Sequence, residues 1–309
     1  MKLAFLYAGQ GAQHVGMGRD LYEIYPAFRQ VLDSAPVDFD LKTLCFDGPE
    51  DQLNDTRYTQ PCMVAFAAGV TALLREAGIT PDYAAGLSLG EYSALQCAGV
   101  FDIKTAISLV AFRGQAMADA VQGRPCGMAA VLGMDRDALK AVCTEASDAG
   151  VVECTNFNCP GQIVISGDAA AVDKAGELAK AAGAKRVLPL KVSGPFHTSL
   201  MAPAGDALRE KFQSVDFGAM EIPVLFNCLG DLKGEADTIP NLLEQQVQSS
   251  VYLEDTIRRL GELGVDTVVE IGPGRTLSGF VKKTVKGIKC YPVETAEELQ
   301  AAIAALRGE

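Results

Sequence analysis

Strand-like and helix-like stretches alternate along the first third of the chain, and this alternation restricts the possible folds more than any other feature of the sequence. Short apolar stretches at Leu3–Tyr7 and Pro81–Gly86 are expected to be strands. Apolar runs and good helix formers occupy Leu53–Ala77, Glu91–Ala98 and Ala106–Ala120, which are expected to be helices. Alternation of this kind predicts an α/β domain with a mainly parallel sheet.

The pattern changes between residues 124 and 192, where the expected order is β-α-β-β-α-β. The expected elements are the strand Met128–Leu132, the helix Asp135–Ala149 with Asp135 as N-cap, the strands Val151–Phe157 and Gln162–Ser166 joined by a turn at 158–161, the helix Asp168–Ala182 and the strand Arg186–Val192. This order is the split unit of the ferredoxin-like fold.

We therefore predict two domains. A large α/β-hydrolase-like domain with a mainly parallel sheet would comprise residues 1–123 and 193–309, and a small ferredoxin-like domain at 124–192 would be inserted into it. The large domain would resume near Ser193 and would include a strand at Val265–Ile271 and a closing helix at Ala296–Leu306.

Composition excludes several classes of function. Hydrophobic residues make up 49% of the 309 residues and charged residues 21%, which is typical of a globular protein and excludes wholesale disorder. The net charge of −12 argues against nucleic-acid binding and against docking on an anionic membrane. No secretory signal or spanning segment is expected, so the predicted location is the cytoplasm. Nine scattered cysteines are expected to be reduced, and two histidines argue against a metal site.

A Gly-x-Ser-x-Gly pentapeptide, residues 86–90, lies between a strand candidate and a helix candidate. Nucleophilic serines need a sharp turn that exposes the hydroxyl, and flanking glycines leave room for that turn. Ser88 would also lie at a helix N-terminus, where backbone N–H groups favour developing negative charge. The alternative is an N-cap serine in an ordinary tight turn.

A serine nucleophile needs a base, and the candidates are His14 and His197. His197 follows the small domain, where the chain re-enters the large one, and we take it as the base. His14 lies in a Gly-rich loop and is interpreted as a structural or rim residue. Arg113 lies on a helix of apolar and small residues, where an arginine is unexpected. It could bind an anionic group of the substrate, or it could be structural, either in an internal ion pair or with its charge at the surface.

The Gly-rich loop 9–13 follows the first strand and fits neither a dinucleotide fingerprint nor a P-loop. A backbone N–H of this loop could complete an oxyanion hole with that of Leu89. A simple strand-to-loop turn is the alternative.

Taken together, these segments resemble the malonyl-CoA:acyl-carrier-protein transacylase family of bacterial fatty-acid synthesis over essentially the whole chain. The motifs that carry the resemblance occur in order at residues 9–13, 86–92, 113–117, 156–167, 196–197 and 270–274. The sequence departs from the family pattern at Leu87, where the family commonly has histidine. That position precedes the nucleophile and is not the base.

The resemblance implies a ping-pong transfer of a malonyl group from malonyl-CoA to the phosphopantetheine thiol of acyl carrier protein, without a cofactor. It implies that Ser88 is the nucleophile, His197 the base, Arg113 the partner of the malonyl carboxylate, and the N–H groups of Gln10 and Leu89 the oxyanion hole. A backbone carbonyl near residues 250–252 would orient His197. The protein would act as a monomer, with no nucleic-acid or membrane partner.

Three questions stay open at the level of sequence. A thioesterase would use the same Ser88 and His197, and a scaffold that binds carrier protein would use neither. The carrier could serve fatty-acid or polyketide synthesis. Since acyl carrier proteins are acidic, docking on a chain of net charge −12 needs a local basic patch. The candidate residues are Lys185, Arg186, Lys191, Lys282, Lys283, Lys286 and Lys289.

Overall fold

The computed structural model describes residues 1–190 and 194–308. The first 123 residues form strands and helices in alternation, as the sequence predicts. They comprise β1 (Leu3–Tyr7), α1 (Arg19–Ile24), α2 (Pro26–Asp33), α3 (Leu41–Asp47), α4 (Glu50–Leu53), α5 (Thr56–Glu76), β2 (Tyr83–Gly86), α6 (Gly90–Cys97) and α7 (Ile103–Asp119).

The segment that follows has the predicted order β-α-β-β-α-β. It comprises β3 (Cys126–Leu132), α8 (Arg136–Ala146), β4 (Val152–Cys159), β5 (Gln162–Asp168), α9 (Ala169–Ala181) and β6 (Arg186–Pro189). The remaining elements are α10 (Ala202–Phe212), β7 (Leu225–Phe226), β8 (Asp231–Leu232), α11 (Ile239–Val247), α12 (Leu253–Glu262), β9 (Thr267–Ile271), α13 (Thr276–Thr284), β10 (Lys289–Val293) and α14 (Ala296–Arg307).

The main sheet is parallel and has the strand order β10-β9-β1-β2. Every residue of the central strand β1 is buried, which fits a strand covered by helices on both faces. Because the strands are parallel, their carboxyl ends lie at one edge of the sheet. The loops after β1, β2 and β9 therefore meet there, and the serine turn is one of them.

A second, antiparallel sheet has the order β4-β5-β3-β6. Helices α8 and α9 cover one face of it and form with it a separate apolar cluster. The other face contributes Met128, Ala130 and Val164 to the core of the main sheet. The predicted domain boundaries stay a prediction, and Lys191, Val192 and Ser193 lie outside the described residues.

Most expected elements begin or end a few residues from their observed bounds, and two of the differences have a clear physical cause. The long helix expected over Leu53–Ala77 is divided, because Asp55 is extended and caps α5 through the N–H of Arg57. The turn expected at 158–161 is shorter, since β4 continues to Cys159 through two irregularities in its pairing with β5. Within the described residues no helix has the length and apolar composition needed to cross a membrane.

Candidate active site

Ser88 lies in a sharp turn between β2 and α6, with a φ of 51° that non-glycine residues rarely adopt. Both flanking glycines are required by close packing. A Cβ on Gly86 would lie 2.1 Å from the carbonyl carbon of Gly90, and one on Gly90 would lie 2.3 Å from the carbonyl oxygen of Tyr7. The pentapeptide therefore forms the strained turn that exposes a serine hydroxyl, and the interpretation as an ordinary N-cap is wrong.

The side chain of Asn227 stabilises this turn with two hydrogen bonds. Its Oδ1 accepts the N–H of Ser88 at 2.6 Å, and its Nδ2 donates to the carbonyl of Gly86 at 2.7 Å. The N–H of Asn227 donates in turn to Oε2 of Glu91 at 2.6 Å. Asn227 and Glu91 are both fully buried, so the serine turn rests on a buried polar network.

His197 is the residue that contacts the serine. Its Nε2 lies 2.7 Å from Ser88 Oγ, its side chain is buried, and its φ of 63° is also left-handed. Its Nδ1 lies 2.8 Å from the backbone carbonyl of Gln246 on α11. A carbonyl only accepts, so Nδ1 carries the proton and Nε2 keeps the lone pair that can take the proton of Ser88.

The carbonyl that orients His197 was expected near residues 250–252, and that expectation is wrong. Gln246 supplies it, whereas the side chain of Ser250 donates to the carbonyl of Cys154 at 2.8 Å. His14, the other candidate base, is far more exposed and its ring contacts the carboxylate of Glu294.

Burial, and then the positive charge of Arg113, lowers the pKa of His197 from 6.5 to about 4. The imidazole is therefore neutral at physiological pH, which is the state that a general base needs.

Arg113 is 1% exposed, and its guanidinium faces the nucleophile. Its Nη2 donates to Ser88 Oγ at 3.2 Å and to Gln246 Oε1 at 3.0 Å, and its Nη1 donates to Gln60 Oε1 at 3.0 Å. The ring of Tyr92 lies 5.2 Å from the guanidinium carbon, in reach of a cation–π interaction. The guanidinium is thus buried beside the serine, neither at the surface nor among the ion pairs of the described residues.

The Gly-rich loop after β1 lies against the serine turn, since a Cβ on Gly9 would be 2.5 Å from the carbonyl oxygen of Leu87. Across the described residues, the backbone N–H groups of Gln10 and Leu89 have no protein acceptor. The side chain of Gln10 is fixed by a 2.9 Å hydrogen bond to Thr56. Two unpaired N–H groups beside a nucleophile are what an oxyanion hole requires.

Ser88, His197 and Arg113 line a cavity of about 160 Å³ between the two sheets. A neighbouring cavity of about 400 Å³ shares Gln10, Leu87, Asn158 and other residues with it and extends along α13. Asn158 is 93% buried, and its Oδ1 has no hydrogen-bond partner in the described part of the chain. Ser88 thus faces a cavity that adjoins a larger one, and the unpaired amide oxygen of Asn158 lies on the wall that both share.

Sequence reasoning missed Gln60, Asn227 and Gln246. Each is a common polar residue, distant along the chain from the motif that it supports, so no local pattern marked it. Residues 1–190 and 194–308 include no group of three or more His, Cys, Asp or Glu side chains that could hold a metal ion.

The family model of the acyl transferase domain matches residues 4–304. The chain belongs to this family. Among curated relatives it is similar to a malonyl CoA-acyl carrier protein transacylase of Bacillus subtilis, at 44% identity over 100% of this chain and 98% of the relative. It is 38% identical to the protein of the same name from Escherichia coli K12, over 98% of this chain and 99% of that protein.

Solved structures of the family agree with the fold. A malonyl CoA-acyl carrier protein transacylase of Clostridium perfringens matches with a TM-score of 0.95 at 38% identity, covering 100% of this chain and 98% of that one. A malonyl-transacylase solved in complex with its type II PKS acyl-carrier protein matches with a TM-score of 0.95 at 39% identity, covering 100% of both chains.

Proposed function

We propose that this protein transfers a malonyl group from malonyl-CoA to the phosphopantetheine thiol of an acyl carrier protein, through a malonyl-serine intermediate on Ser88. The proposal rests on the two contacts that Ser88 Oγ makes. Ser88 Oγ lies 2.7 Å from a neutral imidazole and 3.2 Å from a buried guanidinium. The first contact activates a nucleophile, and the second selects an acyl group that carries an anion.

In the first half-reaction Ser88 Oγ attacks the thioester carbonyl of malonyl-CoA while His197 Nε2 takes the hydroxyl proton. The N–H groups of Gln10 and Leu89 stabilise the oxyanion, and the carbonyl of Gln246 stabilises the imidazolium. When the carbon–sulfur bond breaks, His197 returns the proton to the leaving thiolate. In the second half-reaction the thiol of the carrier gives its proton to His197 and attacks the malonyl-serine, and the proton returns to Ser88.

Arg113 favours transfer of a carboxylated acyl group. A guanidinium binds a carboxylate with two charge-assisted hydrogen bonds, and burial keeps water from competing with them. A neutral acyl group would leave the buried cation unpaired, which costs free energy.

Intact-protein and peptide mass spectrometry after mixing with malonyl-CoA tests the proposal. We expect an adduct of malonyl mass on the peptide that contains Ser88, and its discharge when holo acyl carrier protein is added. Ser88→Ala should abolish the adduct, and His197→Ala should slow its formation by about 10²- to 10⁴-fold. Rapid release of free malonate without an acceptor would indicate a thioesterase. A normal adduct in the Ser88→Ala protein would refute the assignment of the nucleophile.

The setting of the reaction is part of the same proposal. All nine cysteines are free thiols, which is typical of a reducing compartment, and we place the reaction in the cytoplasm. The protein would act as a monomer and without a cofactor, since serine, histidine and arginine supply the chemistry. Comparing purified carriers of fatty-acid and polyketide synthesis as acceptors would identify the carrier class.

A further inference from the structure

Arg113 is a buried cation that has only neutral acceptors. Its hydrogen bonds go to the amide oxygens of Gln60 and Gln246 and to the hydroxyl of Ser88. None of the ion pairs within residues 1–190 and 194–308 includes Arg113, and its Nε has no partner there. Exposed arginines of the same protein, such as Arg124 and Arg275, do pair with carboxylates. Burying a charge without a counter-ion costs free energy of folding, so a function of Arg113 is the expected explanation for this arrangement.

The two amides are held with their oxygens toward the guanidinium. The amide nitrogen of Gln60 donates to the sulfur of Met117 at 3.3 Å, and that of Gln246 donates to the carbonyl of Ser88 at 2.8 Å. A guanidinium only donates, so the opposite orientation of either amide would place donors against donors. Gln60 on α5 and Gln246 on α11 are both fully buried, so packing keeps them in place.

The nearby carboxyl of Glu91 forms no ion pair with Arg113 within residues 1–190 and 194–308. Burial raises the pKa of Glu91 to about 8, even though Arg113 and the N–H of Asn227 both act to lower it. Arg113 is therefore hydrogen-bonded to neutral acceptors and has no ion-pair partner in the described part of the chain.

We propose that the side-chain amides of Gln60 and Gln246 determine acyl specificity by orienting Arg113 without neutralising it, so that its charge stays available for the carboxylate of the acyl group. This inference rests on the proposed function. An amide and a carboxylate have nearly the same shape, so the identity of these residues as Gln rather than Glu sets the charge that the substrate meets. A carboxylate at either position would pair with Arg113 internally, and the site would then suit a neutral acyl group.

The test is Gln60→Glu, with acylation of Ser88 by malonyl-CoA and by acetyl-CoA followed in parallel. Because the internal ion pair competes with the substrate carboxylate, we expect the malonyl-to-acetyl ratio of kcat/KM to fall by about 10- to 1,000-fold, with acetyl transfer unchanged or raised. Gln60→Met removes the acceptor of Nη1 without adding charge, and because Gln246 still accepts from Nη2, the ratio should fall by no more than a few-fold. Gln122→Glu adds the same charge at an exposed position and should change neither rate.

The outcomes separate this inference from the proposed function. A wild-type protein that forms no malonyl-serine refutes the function. A wild-type protein that does form it, together with a folded Gln60→Glu variant that keeps the wild-type ratio, refutes the role of the amides. Equal losses in Gln60→Glu and Gln60→Met would show that the lost amide and not the added charge lowers the ratio, which refutes the claim that the neutrality of the amides matters. If thermal melting shows that Gln60→Glu is unfolded, Gln246→Glu introduces the carboxylate at Nη2 instead of Nη1 and must lower the same ratio.

Discussion

Glu91 offers a direct test of the electrostatics behind the nucleophile. It lies in the first turn of α6, is fully buried, and accepts the N–H of Asn227 at 2.6 Å. Burial raises its pKa from 4.5 to about 8, against the lowering effects of the N–H of Asn227 and the charge of Arg113. The perturbation that we consider is Glu91→Gln, which keeps an acceptor for Asn227 and removes the titration.

The sign of the effect follows from proton binding. In the unfolded chain the Glu91 carboxyl ionises near its ordinary value of 4.5, whereas in the folded protein it stays protonated up to about pH 8. Between these values the folded state binds more protons, so the free energy of unfolding falls as pH rises, by about 1.4 kcal/mol per pH unit. Over the whole window the loss is on the order of 5 kcal/mol. Glu91→Gln lacks this loss, so its stability relative to wild type should increase with pH.

Urea unfolding of both proteins at pH 5, 7 and 9 measures this difference. The titration of His197 is common to both proteins and cancels in the comparison. We expect similar stabilities at pH 5 and a growing advantage of Glu91→Gln at pH 7 and 9. Glu235→Gln, which removes an exposed carboxylate, should follow the wild-type curve. Parallel pH dependences of wild type and Glu91→Gln would refute the reasoning, because they would mean that Glu91 is ionised in the folded protein throughout.

Three further perturbations test other parts of the site. Arg113→Ala should cut kcat/KM for malonyl transfer by about 30- to 5,000-fold while acetyl transfer holds steady or rises, and an unchanged ratio in a variant that melts normally would contradict this. Asn227→Asp keeps the acceptor for the serine turn and loses the Nδ2–H donor, so the free energy of unfolding in urea should fall by on the order of 1–3 kcal/mol and acylation should be slower. A variant that acylates at the wild-type rate would show that this donor is dispensable. Lys282→Glu with Lys283→Glu, in the exposed last turn of α13, should raise KM for the carrier protein and leave KM for malonyl-CoA unchanged. Equal effects on both substrates would exclude these lysines as the docking patch.

Much of the fold could be predicted because hydrophobic periodicity and turn chemistry are local. The alternation in the first third of the chain, the β-α-β-β-α-β segment and the cap at Asp135 all follow from residues that are neighbours in sequence. The division of the expected helix 53–77 also has a local cause, the cap at Asp55, whereas the misplaced turn at 158–161 depends on pairing between strands. Asn158 and Cys159 have turn-like neighbours, but the pairing of Cys159 with Gln162 on β5 extends the strand past Asn158, and the irregularities that permit this leave no mark on composition.

Some residues of the candidate site could likewise be predicted from the sequence, and others could not. Ser88 and His197 could be found because the chemistry limits the residue types and the chain has only two histidines. The carbonyl that orients His197 could not be found, because every residue has a backbone carbonyl and only the fold decides which one faces the ring. Gln60 and Asn227 were missed for a related reason, since a buried amide is recognised by its partners and not by its sequence neighbours.

Contacts outside the antiparallel sheet fix the geometry of Ser88 and His197. Ser88 and His197 both have a left-handed φ, and such strain persists only where surrounding contacts fix the backbone. Asn227 supplies those contacts to the N–H side of the serine turn, and Gln246 supplies them to its carbonyl and to the imidazole. The segment from β3 to β6 instead contributes cavity wall, including Asn158. The contacts that fix Ser88 and His197 therefore come from one part of the chain, and this wall of the cavities comes from another. Substitutions in the antiparallel sheet should alter KM and acyl preference while the reactivity of Ser88 is preserved.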